Sequence, residues 1–239
     1  MNNTGIIYGI NGPVVYLKGK TGFRMSEMVH VGAEHLVGEV IALTKDRTTV
    51  QVFEETTGLK PGAKVTGTGD AISVTLGPGI LNNIFDGIQR PLGEIAQHSG
   101  KYISRGVSVD SLDTEKKWQV HLTVAPGDQV SGGTIIAETQ ETASIVHKSM
   151  VPPDVSGTVT WVAADGEYTI LDPIGTLELP DGSKKDLTLC QKWPIRIPRP
   201  TRRRYPASVP LVTGQRILDT MFPIAKGGTA AVPGGFGTG

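Results

Sequence analysis

Ile6-Ile7-Tyr8, Val14-Val15-Tyr16, Met28-Val29-His30-Val31, Val37 to Leu43 and Thr48 to Phe53 are short β-branched runs, spaced by Gly, Asn, Asp or Pro. Branching at Cβ suits a pleated chain, and the intervening residues are turn formers. At Val50-Gln51-Val52 apolar and polar residues alternate, as on a strand with one wet face. Five or six such strands in residues 1–70 predict a small closed barrel, because closure removes exposed strand edges. No convergent polar groups stand out in it, so its expected role is packing or assembly.

The next segment, residues 71–110, changes character. Thr75-Leu76-Gly77-Pro78-Gly79-Ile80-Leu81 reads as a strand entering a tight turn. Apolar residues at 81, 84, 85 and 88 fit two short helical turns ended near Gly87 and Pro91, with Asp86 and Arg90 as an i,i+4 helix pair. Another short helical turn is expected from Leu92 to His98.

Residues 111–188 return to strands: Val120 to Val124, Thr134 to Ala137, Gly157 to Val162 and Tyr168 to Leu171, bounded by Pro126-Gly127-Asp128, Gly132-Gly133, Pro152-Pro153-Asp154 and Asp165-Gly166. The pattern Val124-x-x-Gly127-Asp128-x-Val130-x-x-Gly133-x-Ile135, with Pro152-Pro153 and Gly157-x-Val159 following, resembles the barrel-sandwich hammerhead of lipoyl and biotin carrier domains. Such carriers expose one modified lysine at a hairpin tip. The sole lysine between residues 118 and 183 is Lys148, in Val-His-Lys-Ser-Met, which departs from the carrier motifs.

From Trp193 to Pro210 five prolines alternate with Arg196, Arg199, Arg202, Arg203 and Arg204. Proline density predicts an extended segment rather than a helix or central strand. Two readings of Arg202-Arg203-Arg204 stay open: a nucleic-acid patch, or a linker packed on acidic neighbours. Thr213 is expected to cap a helix bearing Ile217, Leu218, Met221 and Phe222, ended by Pro223. Thr229-Ala230-Ala231-Val232 is a strand candidate running into Pro233-Gly234-Gly235-Phe236-Gly237-Thr238-Gly239.

The chain has 239 residues, with 23 basic and 23 acidic groups. The zero net charge gives no case for a basic nucleic-acid binder. It divides unevenly, however: residues 1–110 net zero, 111–188 net −7 and 189–239 net +7. Cys190 is the single cysteine, so neither an internal disulfide nor a cysteine zinc cluster is possible, and a small buried hydrophobe is expected there. The scattered histidines, His30, His35, His98, His121 and His147, have no metal-ligand spacing. Residues 1–17 carry no charge but are broken by glycines, Asn11 and Pro13, which excludes a signal peptide or membrane span there. A soluble, cytosolic chain is the expectation.

Gly234 and Gly239 have the spacing of a phosphate-binding P-loop, Gly-x-x-x-x-Gly-Lys-Ser/Thr. In such a loop glycines turn successive N–H groups onto phosphate, and the helix that follows adds its dipole. The Lys and the hydroxyl residue would follow Gly239, so the sequence is expected to be a piece of a longer protein.

Longer motifs are more specific. Gly77-Pro78-Gly79-Ile80-Leu81-Asn82-Asn83-Ile84-Phe85-Asp86-Gly87-Ile88-Gln89-Arg90-Pro91-Leu92, Trp193-Pro194-Ile195-Arg196-x-Pro198-Arg199-Pro200 and Pro210-Leu211-x-Thr213-Gly214-Gln215-Arg216-Ile217-Leu218-Asp219 stand in order, followed by Phe222-Pro223 and Gly227 to Gly234. With them the chain resembles, over essentially its whole length, the catalytic A subunit (alpha chain) of V-type and A-type rotary ATPases.

The resemblance implies a mainly β fragment with four parts: an N-terminal β-barrel (1–70), the first part of an α/β P-loop nucleotide-binding domain (71–110), an inserted, barrel-sandwich-like bulge domain (111–188), and a continuation of the nucleotide domain into the P-loop (189–239). The insertion favours the A subunit over the non-catalytic B subunit. Nucleotide-binding residues implied are Gly234, Gly235, Phe236, Gly237, Thr238 and Gly239, with ATP/ADP and Mg²⁺ as cofactors. The catalytic residues and metal ligands of the family fall after Gly239, so none is assigned and the fragment is expected to be inactive.

Thr238 replaces the redox-sensitive cysteine of eukaryotic vacuolar members, which favours a bacterial or archaeal source. Implied partners are the B subunit in an alternating hexameric ring, central-stalk and peripheral-stalk subunits and, indirectly, the membrane rotor sector, with no nucleic acid. The implied location is peripheral, on the cytoplasmic side of the cell membrane. The bulge's negative balance would suit a basic partner through Asp128, Glu138 and Glu141. Two alternatives stand beside this reading: a β-rich assembly module with an incidental glycine tail, and a carrier modified at Lys148. Residues 71–110 and 189–239 are expected to expose apolar surface in isolation.

Overall fold

The computed structural model describes residues 3–100, 102–201, 203–231 and 233–235. It forms two compact units, Met1–Pro198 and Arg199–Gly239. The first unit begins with β1 (Thr4–Asn11), β2 (Val14–Lys18), β3 (Glu27–Val31), β4 (Leu36–Leu43), β5 (Arg47–Val52) and β6 (Lys64–Ala71). These close, antiparallel throughout, in the order β1-β2-β5-β4-β3-β6. Alternation fills the interior: Val29 and Val31 of β3, Val50 and Val52 of β5, and Val15 and Leu17 of β2 are buried together. Gln51, between two core valines, is half-buried, as its alternation predicts.

Two carboxylates are buried in this barrel. Glu27 accepts from the amides of Arg24 (2.7 Å) and Gly69 (3.0 Å). Gly67 leaves room for it, because a Cβ there would collide with Glu27 Oε1. Glu39 is matched from outside the barrel by Arg196.

After the barrel come β7 (Ser73–Leu76) and α1 (Leu92–Ser99). The expected helical turns over residues 81–91 are absent. Asn82 and Gln89 have φ of 65° and 62°, outside the helical region. Asp86 Oδ1 instead accepts from the amides of Ile88 (3.0 Å) and Arg90 (2.8 Å), folding an Asx-type turn. The Asp86–Arg90 ion pair does form, at 2.7 Å, but across this turn and not along a helix. The helical reading at Leu92 to His98 matches α1.

The remaining strands of the unit are β8 (Trp118–Leu122), β9 (Gln129–Val130), β10 (Ile135–Gln140), β11 (Val146–Met150), β12 (Gly157–Val162), β13 (Gly166–Tyr168), β14 (Gly175–Glu178), β15 (Lys184–Leu187) and β16 (Gln191–Pro194). All but β16 build two four-stranded sheets, β11-β10-β8-β13 and β15-β14-β12-β9, which share a core of Val120, Ile136, Val159, Ile170, Leu177 and neighbours. The strand expected over Tyr168 to Leu171 stops at Tyr168, because Asp172 Oδ2 accepts the Thr169 amide at 2.7 Å and turns the chain. Cys190 is half-buried against this core, and burial pushes its thiol pKa up.

β16 pairs antiparallel with β7, Gln191 opposite Leu76 and Pro194 opposite Ser73. Trp193 and Pro194 therefore end a strand, and the proline-rich irregular segment begins after them. The mainly β architecture read from the sequence, with its closed barrel and barrel-sandwich, is the one observed.

In the second unit β17 (Pro210–Leu211) pairs with β18 (Ile224–Ala225) around α2 (Arg216–Met221). Thr213 is not the helix cap, a place taken by Gln215. It lies two residues earlier and receives the Asp219 carboxylate, which accepts from Thr213 N, Thr213 Oγ1 and Gly214 N at 2.8–3.0 Å. Those hydrogen bonds, the Thr213 amide's foremost, hold the Asp219 pKa below the usual carboxylate value. Ile217, Met221 and Phe222 are exposed, as expected for this region. Thr229, Ala230 and Ala231 are irregular rather than a strand, and Val232 lies outside the described residues. No helix among the described residues is long and apolar enough to cross a membrane.

Candidate functional site

Of the six residues read as a phosphate cradle, Gly234 and Gly235 are described: both are exposed, irregular chain. Phe236, Gly237, Thr238 and Gly239 lie outside the described residues. Among the described residues, a Cβ at Gly235 would meet no atom within 4 Å. Upstream, Arg203 stacks over the ring of Tyr205 at 5.1 Å, and Arg202 is outside the described residues.

The carrier reading fails on geometry. Lys148 sits inside β11, directly opposite Glu138 of β10, with Nζ 3.3 Å from Glu138 Oε1. The tip of that hairpin is residues 141–145, which contains no lysine.

The three acidic residues singled out on the insertion do different things. Glu138 is paired with Lys148, and Asp128 accepts the Ala125 amide at 2.8 Å within its turn. Glu141 has a side chain only 4% exposed, turned inward onto the 77–81 turn, so it does not face a partner as its sequence position suggests.

Several polar clusters have no signature in sequence spacing. Glu54, in the loop after β5, accepts the Gly106 amide at 2.8 Å and stands 3.5 Å from Arg90 Nη1, while Arg90 also donates to the Val107 carbonyl. Arg90 thus ties the barrel to the Asp86 turn and to the stretch after α1. The available signal was an acidic pair, Glu54-Glu55, ending an apolar strand, which reads equally well as a solvated strand end. A cleft of about 590 Å³ lies beside α1, lined among others by Asn83, Glu94, His98, Asp113, Lys116 and Trp118. Lys116 Nζ sits 3.9 Å over the Trp118 ring, a cation–π contact. Among the described residues, no group of three or more His, Cys, Asp or Glu is arranged to hold a metal ion.

Comparison with known proteins places these parts. Residues 7–69 match the ATP synthase alpha/beta family beta-barrel domain, and residues 109–196 match the ATP synthase alpha/beta subunit barrel-sandwich domain. The A subunit of the A-type ATP synthase of Methanopyrus kandleri is 52% identical over 98% of the chain and 40% of that protein. The V-type ATP synthase alpha chain of Halothermothrix orenii is 49% identical over 100% of the chain and 40% of that protein. The V-type ATP synthase alpha chain 2 of Clostridium tetani is 51% identical over 98% and 40% respectively. The chain thus spans 40% of the length of these relatives. With a closed barrel and a barrel-sandwich in the matched places, the chain belongs to the ATP synthase alpha/beta family and is similar throughout to the A-subunit (alpha-chain) branch of it.

Proposed function

We propose that the protein carrying this chain is the catalytic A subunit of a V/A-type rotary ATPase, coupling ATP hydrolysis or synthesis to H⁺ or Na⁺ transport. The observation that carries the reading is identity of about half, over nearly the whole chain, to the A subunit of an A-type ATP synthase and the alpha chain of a V-type one. Residues 111–188 are then an insertion into a nucleotide-binding domain. The β7–β16 ladder supports this, since it joins the two segments that flank the insertion.

In this reading Gly234 to Gly239 form the first part of a phosphate cradle for ATP or ADP. Glycine in such a loop lets phosphate approach the backbone closely. Bound Mg²⁺ would help neutralise the phosphate charge. The chain's own contribution is orientation, through amides held in place by glycine. Residues 1–239 alone hold neither the P-loop Lys nor its hydroxyl partner, so this segment is proposed to lack ATPase activity by itself. The proposed partners are B-type subunits that alternate with it in a hexameric ring, and stalk subunits. The proposed location is the cytoplasmic face of a bacterial or archaeal membrane.

The test is reconstitution of the complete protein with its B-type partner. Mg²⁺-dependent ATP hydrolysis, abolished by replacing the P-loop lysine of the complete protein, is the expected result. A complex that assembles but neither binds nor hydrolyses ATP would overturn the proposal and favour an assembly module.

A further inference from the structure

The turn after β7 directs two amides at one point. Gly79 N and Leu81 N, two residues apart, both donate to Oε1 of Glu141, at 2.7 and 3.1 Å. Alternate N–H groups converging on one oxygen are the geometry of a backbone anion nest. Gly79, at φ 105°, supplies the left-handed step that such a concavity requires. Asn83 Nδ2 donates back to the Gly79 carbonyl at 2.6 Å and closes the turn.

The carboxylate in the nest arrives from more than sixty positions away, from the first residue after β10. Its second oxygen faces His147 Nδ1 of β11 at 3.4 Å. A buried carboxylate is costly unless donors meet its charge, and here the turn's amides do so. Ile80 and Phe85, on either side of this turn's end, pack against the barrel-sandwich core that carries Glu141.

We infer that residues 77–81 form an anion nest filled in cis by Glu141, and that this contact is the latch by which the barrel-sandwich holds the turn leading towards α1. The conformation of the turn is then set by the β10–β11 hairpin: a displaced hairpin withdraws the anion and frees the amides. The inference rests on hydrogen-bond geometry and is independent of the rotary-ATPase reading.

Residue-resolved hydrogen exchange on the complete protein tests it. Glu141→Ala is expected to speed exchange at the Gly79 and Leu81 amides roughly ten- to hundredfold, as for loss of charge-assisted hydrogen bonds. The Val120 and Leu177 amides, in the core of the same domain, should hold their rates. Sodium formate, small enough to occupy the vacated carboxylate position, should restore protection in Glu141→Ala, and sodium chloride at equal ionic strength should not. Unchanged exchange at the turn, or formate no better than chloride, overturns the inference. Should the alanine variant fail to fold, Glu141→Gln keeps the shape and one acceptor oxygen. It is expected to speed exchange at the two amides by up to roughly tenfold, again sparing the core. No change at the turn, or equal loosening of turn and core, would then refute the latch.

Discussion

Arg196 and Glu39, 157 positions apart, form a two-point pair in which Arg196 Nε donates to Glu39 Oε1 at 2.9 Å and Nη2 to Oε2 at 2.6 Å. The carboxylate side chain is 2% exposed and the guanidinium side chain 59%, so the pair carries the charge of a barrel strand out to solvent. Replacing Arg196 by Met leaves a buried carboxylate with no countercharge, whereas Lys keeps the charge and loses the fork. The expected order of urea midpoints is wild type above R196K above R196M, with Glu39→Gln in the R196M background recovering part of the loss. Equal midpoints for R196M and wild type would show the pair to be dispensable.

Gly106 combines two constraints. Its φ is 69°, and a Cβ there would run into the Glu34 carbonyl oxygen, which is backbone and cannot swing aside. Its amide also donates to Glu54 at 2.8 Å. Gly106→Ala should therefore destabilise the first unit by about 2–4 kcal/mol, measured by denaturant unfolding. A loss of less than about 0.5 kcal/mol, the usual size for a surface substitution, would contradict this.

Two histidines should titrate on opposite sides of the ordinary value of 6.5. The His121 ring lies 2.5 Å from Asp165, whose hydrogen bond and charge raise the imidazole pKa. His147 is pushed down by burial, a shift Glu141 only partly offsets. For His121 the linked stability is complete below pH 6.5 and lost as pH rises through the raised value; for His147 it is complete above pH 6.5 and lost as pH falls through the lowered one. Ring-proton NMR titrations check the order, and a His147 midpoint above that of His121 would refute it.

Burial separates two apolar residues of similar size. Leu177 is fully enclosed between the two sheets, while Ile217 on α2 is 70% exposed. Leu177→Ala should cost about 2–5 kcal/mol, and Ile217→Ala should stay within about 0.5 kcal/mol of wild type. Comparable losses from both variants would mean that Ile217 is covered in the folded protein.

The barrel was legible because Val50-Gln51-Val52 and its companions write their exposure directly into a two-residue period. The 81–91 segment was misread for the opposite reason. Its apolar residues fall at helical spacing, but Asp86 accepts local amides, and Gln89 both accepts from Thr75 N and donates to Thr75 O, each at 2.7 Å. Side-chain competition of that kind overrides periodicity. The partners of Glu39 and Glu141 were not legible, because nothing local to either foretells Arg196 or the Gly79 amide. At Gly234 and Gly235 glycine spacing marked a loop, while the strand expected before it at Thr229 did not form.

The seating of Ile80 and Phe85 against the barrel-sandwich has a practical side. Excising that domain at residue 111 would strip two hydrophobes from its wall and leave Glu141 without its donors. A graft of the domain into a relative should therefore carry the turn as well, starting at Gly77 and running through Pro91, with β16 retained as the return strand.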